Sequence, residues 1–231
     1  MVAKDIMTTQ VVTVDPDTPV RRIAELLLAH RISGVPVVGS GGDLVGIVSE
    51  GDLMRRPETG TERHRSWWLE LVTTSDDLAR EYVKAHGRRA ADVMSPEVVT
   101  VAEDAPAGTM ARLLEEHRIK RVPVVRGRRL VGIVSRADLL RGLAAQAAPP
   151  EASAASDDRA IRAQLLRTLR DVRWTRPEFV SVIVTGGIVH LWGLVASDEE
   201  RHALRVAADS IPGVRAVEDH MSRVPAGLWA E

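Results

Sequence analysis

The chain has 231 residues, of which 45% are hydrophobic, 31 are basic and 32 acidic, giving a formal net charge of −1. That balance excludes a protein whose main role is to coat nucleic acid or an anionic membrane, both of which need an excess of positive charge. With no cysteine in the chain, disulfides, thiolate metal sites and thiol catalysis are excluded too.

Met1 to Met7 contains no apolar run, and no stretch of about 18 apolar residues occurs anywhere, so neither a signal peptide nor a membrane-spanning helix is expected. The expected location is cytoplasmic. Val11, Val12 and Val14 form a short extended segment, broken by Asp15-Pro16-Asp17. Thr18-Pro19 then opens a helix, with Thr18 as N-cap and Pro19 at the first helical position. Val20, Ile23, Ala24 and Leu27 fall on one face of it. The helix is expected to end near Ser33-Gly34. Val35 to Val38 and Leu44 to Val48 are strands joined by a glycine turn, and Asp52-Leu53-Met54 starts a second helix.

This series then returns. Ala3-Lys4-Asp5-Ile6-Met7 reappears as Ala90-Ala91-Asp92-Val93-Met94, and Val11-Val12-Thr13-Val14 as Val98-Val99-Thr100-Val101. Val35-Pro36-Val37-Val38 returns as Val122-Pro123-Val124-Val125. Leu44 to Ser49 returns as Leu130 to Ser135. The offset is 87 residues up to Val38 and 86 after Leu44, so one residue is missing from the intervening turn, where Arg126-Gly127-Arg128-Arg129 stands in the second copy. A two-copy period this long implies a pseudo-two-fold pair rather than a solenoid. Ala105-Pro106 replaces Thr18-Pro19, and Ala107, Met110, Ala111 and Leu114 rebuild the apolar face.

Residues 1–55 are thus the first repeat and 90–145 the second. Residues 56–89 are an insertion without a counterpart, with helical pieces suggested by Trp67-Trp68-Leu69, Leu71-Val72, Leu78 and Tyr82. Residues 146–157, rich in Ala, Pro, Ser and Glu, are a linker. Residues 158–226 form a last unit. Ile161, Leu165, Leu166 and Leu169 make a helix face, and Val180, Val182 and Val184 alternate as a strand. Gly186-Gly187 turns into the strand Ile188 to Trp192. Glu199 to Ser210 is helical, capped by Ser197 with Glu200 three residues on and with Ala203, Val206 and Ala207 inward. Val214 to Met221 is a last strand. The fold class is α+β, with two β-α-β-β-α repeats followed by a small α-β-β-α-β domain.

Ser49-Glu50-Gly51-Asp52 and Ser135-Arg136-Ala137-Asp138 each follow a Gly-Ile-Val strand and open a helix. A helix N-terminus offers free N–H groups and partial positive charge suited to phosphate. The serine hydroxyl can add a bond to that phosphate, and a carboxylate three residues on can accept from ribose hydroxyls. The same spacing is also a capping box, and both roles stay open. No nucleophile elbow, Walker loop, dinucleotide fingerprint or histidine pair at metal-ligand spacing is present. His30 and His117 sit at the C-terminal turns of equivalent helices, where the helix dipole favours them.

The repeated D-[IV]-M, V-V-T-V, V-P-V-V and G-I-V-S-x-x-D motifs resemble a tandem pair of CBS domains, a Bateman module. That resemblance implies a regulatory, non-enzymatic protein with adenine-nucleotide sites in the clefts between the copies. It implies Ser49 and Asp52 in the first copy and Ser135 and Asp138 in the second as hydroxyl and carboxylate ligands. Thr13, Gly34 and Val35, and Thr100, Arg121 and Val122, would hold the base. Lys120, Arg121 and Arg136 make the second copy the more basic, which favours a phosphate there. The nucleotide, AMP, ADP, ATP or a relative, is a regulatory ligand and not a required cofactor, and no metal ligands are assigned. Flat faces of such pairs assemble as homodimers. The tail, with Val182 to Val195 and Ile211-Pro212-Gly213-Val214, is similar to a BON domain. This implies an output or localisation module that binds a protein partner or a phospholipid surface. The alternative is a ligand-free dimeric adaptor. No nucleic-acid partner is expected.

Overall fold

Both repeats build the same helix and the same hairpin from equivalent residues. The structure, a computed structural model, describes residues 1–54, 82–145 and 152–224, with backbone only for 152–156. In the first repeat α1 is Ala3–Ile6, α2 Val20–Ala29, β1 Gly34–Val38, β2 Leu44–Ser49 and α3 Glu50–Leu53. In the second, α4 is Ala90–Val93, β3 Val101–Ala102, α5 Ala107–Glu116, β4 Arg121–Arg126, β5 Arg129–Ser135 and α6 Arg136–Ala145. Of the insertion, residues 82–86 are helical; Trp67 to Val72 and Leu78 lie outside the described residues.

Helix α2 buries Val20, Ile23 and Leu27, and α5 buries Met110 and Leu114. Both helices start one residue later than the Pro signal suggests. Pro19 and Pro106 are the N-caps, and their carbonyls accept from Ile23 and Met110 N–H at 3.1 and 3.2 Å. The Thr18 hydroxyl instead accepts from Asp15 N–H at 3.2 Å, closing the preceding turn. The helices also end earlier than Ser33-Gly34 suggests, at C-caps His30 and His117. The left-handed residue after each cap is an arginine, Arg31 (φ 50°) and Arg118 (φ 52°). Arg31 N–H donates to Leu28 O and Ile32 N–H to Leu27 O, and Arg118 and Ile119 repeat both bonds, which makes a Schellman motif in each copy.

The first extended segment contributes little ladder. Val14 makes a single parallel bridge to Val37, and β1 pairs antiparallel with β2 in the register Gly34↔Ser49, Val35↔Val48. In the second repeat the same segment becomes β3, in a sheet ordered β3-β4-β5.

The short helices are exchanged between repeats. Ala3 and Lys4 N–H donate to the carbonyls of Ala105 and Glu103, both at 2.9 Å, while Ala90 and Ala91 N–H donate to those of Thr18 and Pro16 at 2.9 and 2.8 Å. Thr8 and Ile133 trade backbone bonds, as do Ser95 and Ile47. Each partner is the repeat equivalent of the other. The described chain accordingly divides into two units, one of Met1–Val11, Val101–Val124 and Gly132 onward, the other of Val12–Thr100 and Val125–Val131. The second unit's core joins Ile23, Leu27, Val35, Val37 and Val48 to Ala90 and Val93 of α4. In the first unit Ala3 and Ile6 of α1 are fully buried, as are Met110, Val122, Val124 and Val134. The exchange also explains two glycines: a Cβ at Gly46 would collide with the Met94 sulfur, and one at Gly132 with that of Met7.

The tail belongs to the first unit. Helix α7 is Ala152–Asp171, followed by β6 Val180–Thr185, β7 Ile188–Val195, α8 Asp198–Asp209 and β8 Ala216–Arg223. Helix α7 begins inside the expected linker, because the Ala-rich end of that segment is itself good helix former. Strand β7 is central, antiparallel to β6 and parallel to β8. The core gathers Ile161, Leu165 and Leu169 with Val182, Leu191, Leu204 and Met221. Val206, expected inward, is exposed: the buried stripe of α8 runs through Leu204 and Ala208 to Ile211, which sets a different helical phase. Ser197 caps α8 as expected, accepting from Glu200 N–H at 3.1 Å. Strand β8 starts two residues later than expected, since Val214 N–H is spent on Ile211 O in the turn at Gly213 and pairing begins at Ile188↔Ala216.

A side chain at positive φ costs about 1 kcal/mol that glycine does not pay. Arg118→Gly should therefore raise stability by about that amount, read as a higher denaturant midpoint at unchanged slope. A lower midpoint would show that the arginine side chain contributes more than its backbone costs.

Candidate functional site

In the first repeat, Ser49 ends β2 and caps α3. Its N–H and its hydroxyl both donate to Asp52 Oδ2, at 2.8 and 2.6 Å. The register sets Gly34 opposite Ser49 and Val35 opposite Val48, and Glu50 N–H donates to the Ser33 carbonyl at 3.1 Å. Val14 N–H donates to Pro36 O at 3.1 Å, so Thr13, which is exposed, borders the same strand. The structure thus brings Gly34, Val35, Ser49 and Asp52 to one end of the β1–β2 hairpin, with Thr13 beside the middle of β1. Gly34 and Val35 are buried, so only their backbone can serve a ligand. The Asp52 side chain is 17% exposed, and Lys84 Nζ lies 3.6 Å from its Oδ1. Lys84, from the insertion, gives this set a cation that the sequence reading missed because no repeat position marks it.

The second repeat has the same frame. Ser135 N–H and hydroxyl donate to Asp138 Oδ2 at 2.8 and 2.7 Å, and Asp138 N–H returns a bond to the Ser135 hydroxyl at 3.3 Å. Arg136 N–H donates to the Lys120 carbonyl at 3.4 Å, joining the start of β4, with Arg121 and buried Val122, to the start of α6. Two features differ. Asp138 Oδ1 accepts from Arg141 Nη1 at 2.9 Å, and Asp138 is only 3% exposed. The Arg136 guanidinium turns back to donate to Leu114 O at 3.3 Å, at the C-terminal end of α5. The basic surroundings expected of this copy are therefore partly committed to the protein itself. Lys120 is exposed. Thr100 is exposed as well and falls at the end of the other unit's first segment, Val12–Thr100.

The sequence profile of the CBS domain matches residues 3–58 and again 90–145, and that of the BON domain matches residues 157–225. This chain is a CBS-pair protein with a BON domain. It is 30% identical over 159 residues to MJ1426, an uncharacterized protein of Methanocaldococcus jannaschii, covering 62% of this chain and 91% of that one. It is 31% identical over 134 residues to the chloroplastic CBS domain-containing protein CBSX2 of Arabidopsis thaliana, covering 55% of this chain and 56% of that protein. A crystal structure of CBSX2 in complex with AMP superposes with a TM-score of 0.55 at 29% identity, over 64% of this chain and 99% of that one. The chain spans 31% of the length of another archaeal relative, MJ1404 of Methanocaldococcus jannaschii. Among the described residues no helix is long and apolar enough to cross a membrane.

The way the BON domain is held was not visible in the sequence. Arg162 of α7 is buried and donates to three carbonyls: Nε to Val182 at 2.8 Å, Nη1 to Lys4 at 3.0 Å and Nη2 to Met7 at 2.7 Å. Burial lowers its pKa to about 10, against the pull of Asp5 and Asp138, so it stays charged at neutral pH. One turn earlier, Arg159 Nε donates to Asp5 Oδ1 at 2.7 Å. Asp158 accepts from Gly186 and Gly187 N–H, both at 2.7 Å, and clamps the β6–β7 turn. The BON helix α7 is thereby fastened to α1 of the CBS pair.

Replacing Arg162 by Met leaves three buried carbonyls without a donor, at about 1 kcal/mol or more each. Chemical denaturation should show a loss of roughly 3 kcal/mol. Arg162→Lys should recover little of it, because a single ammonium cannot span the three carbonyls that the guanidinium fork reaches; full recovery by Lys would refute that role for the fork. Asp5 gives a pH test. Burial raises its pKa, but bonds from Arg159 and from Val2 N–H outweigh it and hold the carboxyl below its ordinary value of 3.8. A depressed folded pKa stabilises above the unfolded value and is lost as pH falls through the folded one. Asp5→Asn should thus melt below the parent at pH 7, with the gap closing below about pH 4. A constant gap across that range would sink the electrostatic account.

Proposed function

We propose that the protein is a regulatory, non-catalytic sensor whose CBS pair takes up an adenine nucleotide, with the BON domain as its output or localisation module. The observation that carries this reading is the twice-built set of Ser, Asp and strand backbone at a helix start, in a chain similar over its CBS pair to a protein crystallised with AMP. Ser49 and Ser135 would bond phosphate, and Asp52 and Asp138 the ribose hydroxyls. Charge alone favours the second set, but exposure favours the first: the Asp52 side chain is 17% exposed beside Lys84, whereas that of Asp138 is 5% exposed and paired with Arg141. We assign first occupancy to the Ser49 and Asp52 set. Ligand would act by favouring one packing of the pair over another, limited by its differential affinity for the two. The second set has its own line to the output, since Asp138 helps to balance the charge of Arg162. A homodimeric, cytoplasmic protein whose BON domain meets a protein partner or a lipid surface fits this role.

Thermal-shift titration of the full chain with AMP, ADP and ATP tests the reading. Ligand at 100 times its dissociation constant stabilises by about 2.7 kcal/mol, roughly 5–10 °C for a chain of this size. A shift of that order with one nucleotide, lost in Asp52→Ala and kept in Asp138→Ala, is expected. Both variants give up about 1 kcal/mol of capping, so the comparison is of shifts and not of melting points. The reverse pattern would move the site to the second set. No shift with any nucleotide at millimolar concentration would favour the ligand-free adaptor.

A further inference from the structure

We propose that His190, Glu218 and His220 form a binding site for one zinc-type divalent metal ion on the sheet of the BON domain. The parallel register of β7 and β8 pairs His190 with Glu218 and Trp192 with His220, so the two histidines and the glutamate share one face. Asp219 and Met221 occupy the other: Asp219 accepts from Arg201 Nε at 2.7 Å, and Met221 enters the core. On the shared face, His190 Nδ1 lies 3.2 Å from Glu218 Oε2, His220 Nε2 lies 3.5 Å from the same oxygen, and the two nitrogens are 3.5 Å apart. A tetrahedral ion with ligands at about 2.0–2.2 Å sets neighbouring donors about 3.3–3.6 Å apart. The three observed separations form a nearly equilateral triangle of about that edge.

A plain hydrogen-bonded pair of His190 and Glu218 would not require His220 to converge on the same oxygen. Two protonated imidazoles at this separation would repel each other, whereas two neutral imidazoles and one carboxylate are the ligand set of an open three-residue zinc site. His190 is 5% exposed, so its ring is held in place by the sheet around it. The His220 ring is stacked on Trp192, with centroids 4.0 Å apart and planes 14° from parallel, so its orientation is set before any ion arrives. The Glu218 and His220 side chains are 52% and 32% exposed, which leaves the fourth position to water. The sequence spacing hid this group, because two of its members sit on a strand some thirty residues beyond the third.

The test uses the full chain, stripped with a chelator and titrated calorimetrically with Zn²⁺, and separately with Co²⁺ while the visible spectrum is recorded. One ion per chain is expected, with an intense four-coordinate Co²⁺ band. His220→Ala should weaken binding more than about 100-fold, beyond the 10–100-fold typical of losing a supporting group, and should abolish the band. His220→Gln, which keeps the bulk stacked on Trp192, makes the same test if the alanine variant misfolds. His202→Ala, on the exposed side of α8, should change nothing. Equal Zn²⁺ affinity in the parent and the His220 variants, loss of binding in His202→Ala, or a weak six-coordinate Co²⁺ spectrum would each overturn the site.

Discussion

The short helix that opens each repeat is held by carbonyls of the other repeat, and the rest of the structure depends on that exchange. Ala3 and Lys4 bond to residues 105 and 103, and Ala90 and Ala91 to their equivalents, 18 and 16. A four-residue helix cannot persist by itself, since nucleation costs more than one turn returns. It persists here because Ala3 and Ile6, and Ala90 and Val93, are buried in cores to which the other repeat contributes. Neither repeat is closed by its own residues. The most recognisable motifs are the two sides of this one contact: the methionine of D-[IV]-M lies against the glycine of G-I-V-S, Met7 on Gly132 and Met94 on Gly46. The aspartate of the same motif caps its short helix, Asp5 accepting from Val2 N–H at 2.8 Å and Asp92 from Arg89 N–H at 3.4 Å.

In the structure the carboxylates of the S-x-x-D segments cap their helices, through Ser49 N–H and Ser135 N–H. A ribose bound as proposed would compete for the same acceptors, so ligand affinity and helix capping would be opposed by an amount of the order of one cap, about 1 kcal/mol. Among the described residues, Asp52 faces Lys84 beyond its own serine, and Asp138 faces Arg141.

Much of the fold was legible because it repeats. The period, the strands with their β-branched runs, the glycine turns and the S-x-x-D caps are local patterns, and duplication doubled each signal. Where local rules failed, a non-local partner had won. Pro19 became an N-cap because Val20 N–H is taken by Arg88 O. Val206 turned outward because Leu204 and Ala208 set the phase of α8 against the sheet. The left-handed position went to Arg31 and Arg118 rather than to a glycine, and no propensity rule selects arginine there. For the site, the spacing found the serines and aspartates but not their occupancy by Arg141 or the approach of Lys84. His190 and His220 were each visible, but their meeting depends on the β7–β8 register, which a sequence does not display.

Arg162 carries the exchange one step further. The carbonyls it binds, Lys4 and Met7, belong to the exchanged helix α1 and the residue that follows it, so the BON domain rests on the element whose position is set by residues 103 and 105 of the second repeat. A buried guanidinium persists only when its hydrogen bonds and nearby charges repay its desolvation. Here three carbonyls provide the bonds, and Asp5 and Asp138 provide the charge. Asp5 is the cap of α1 and Asp138 the carboxylate of the second S-x-x-D segment, so the two anions that stabilise the BON anchor also cap helices from both repeats within the same unit. Any event that changes the charge or position of Asp138 therefore alters the electrostatic support of Arg162 without a contact having to be passed along a chain of side chains.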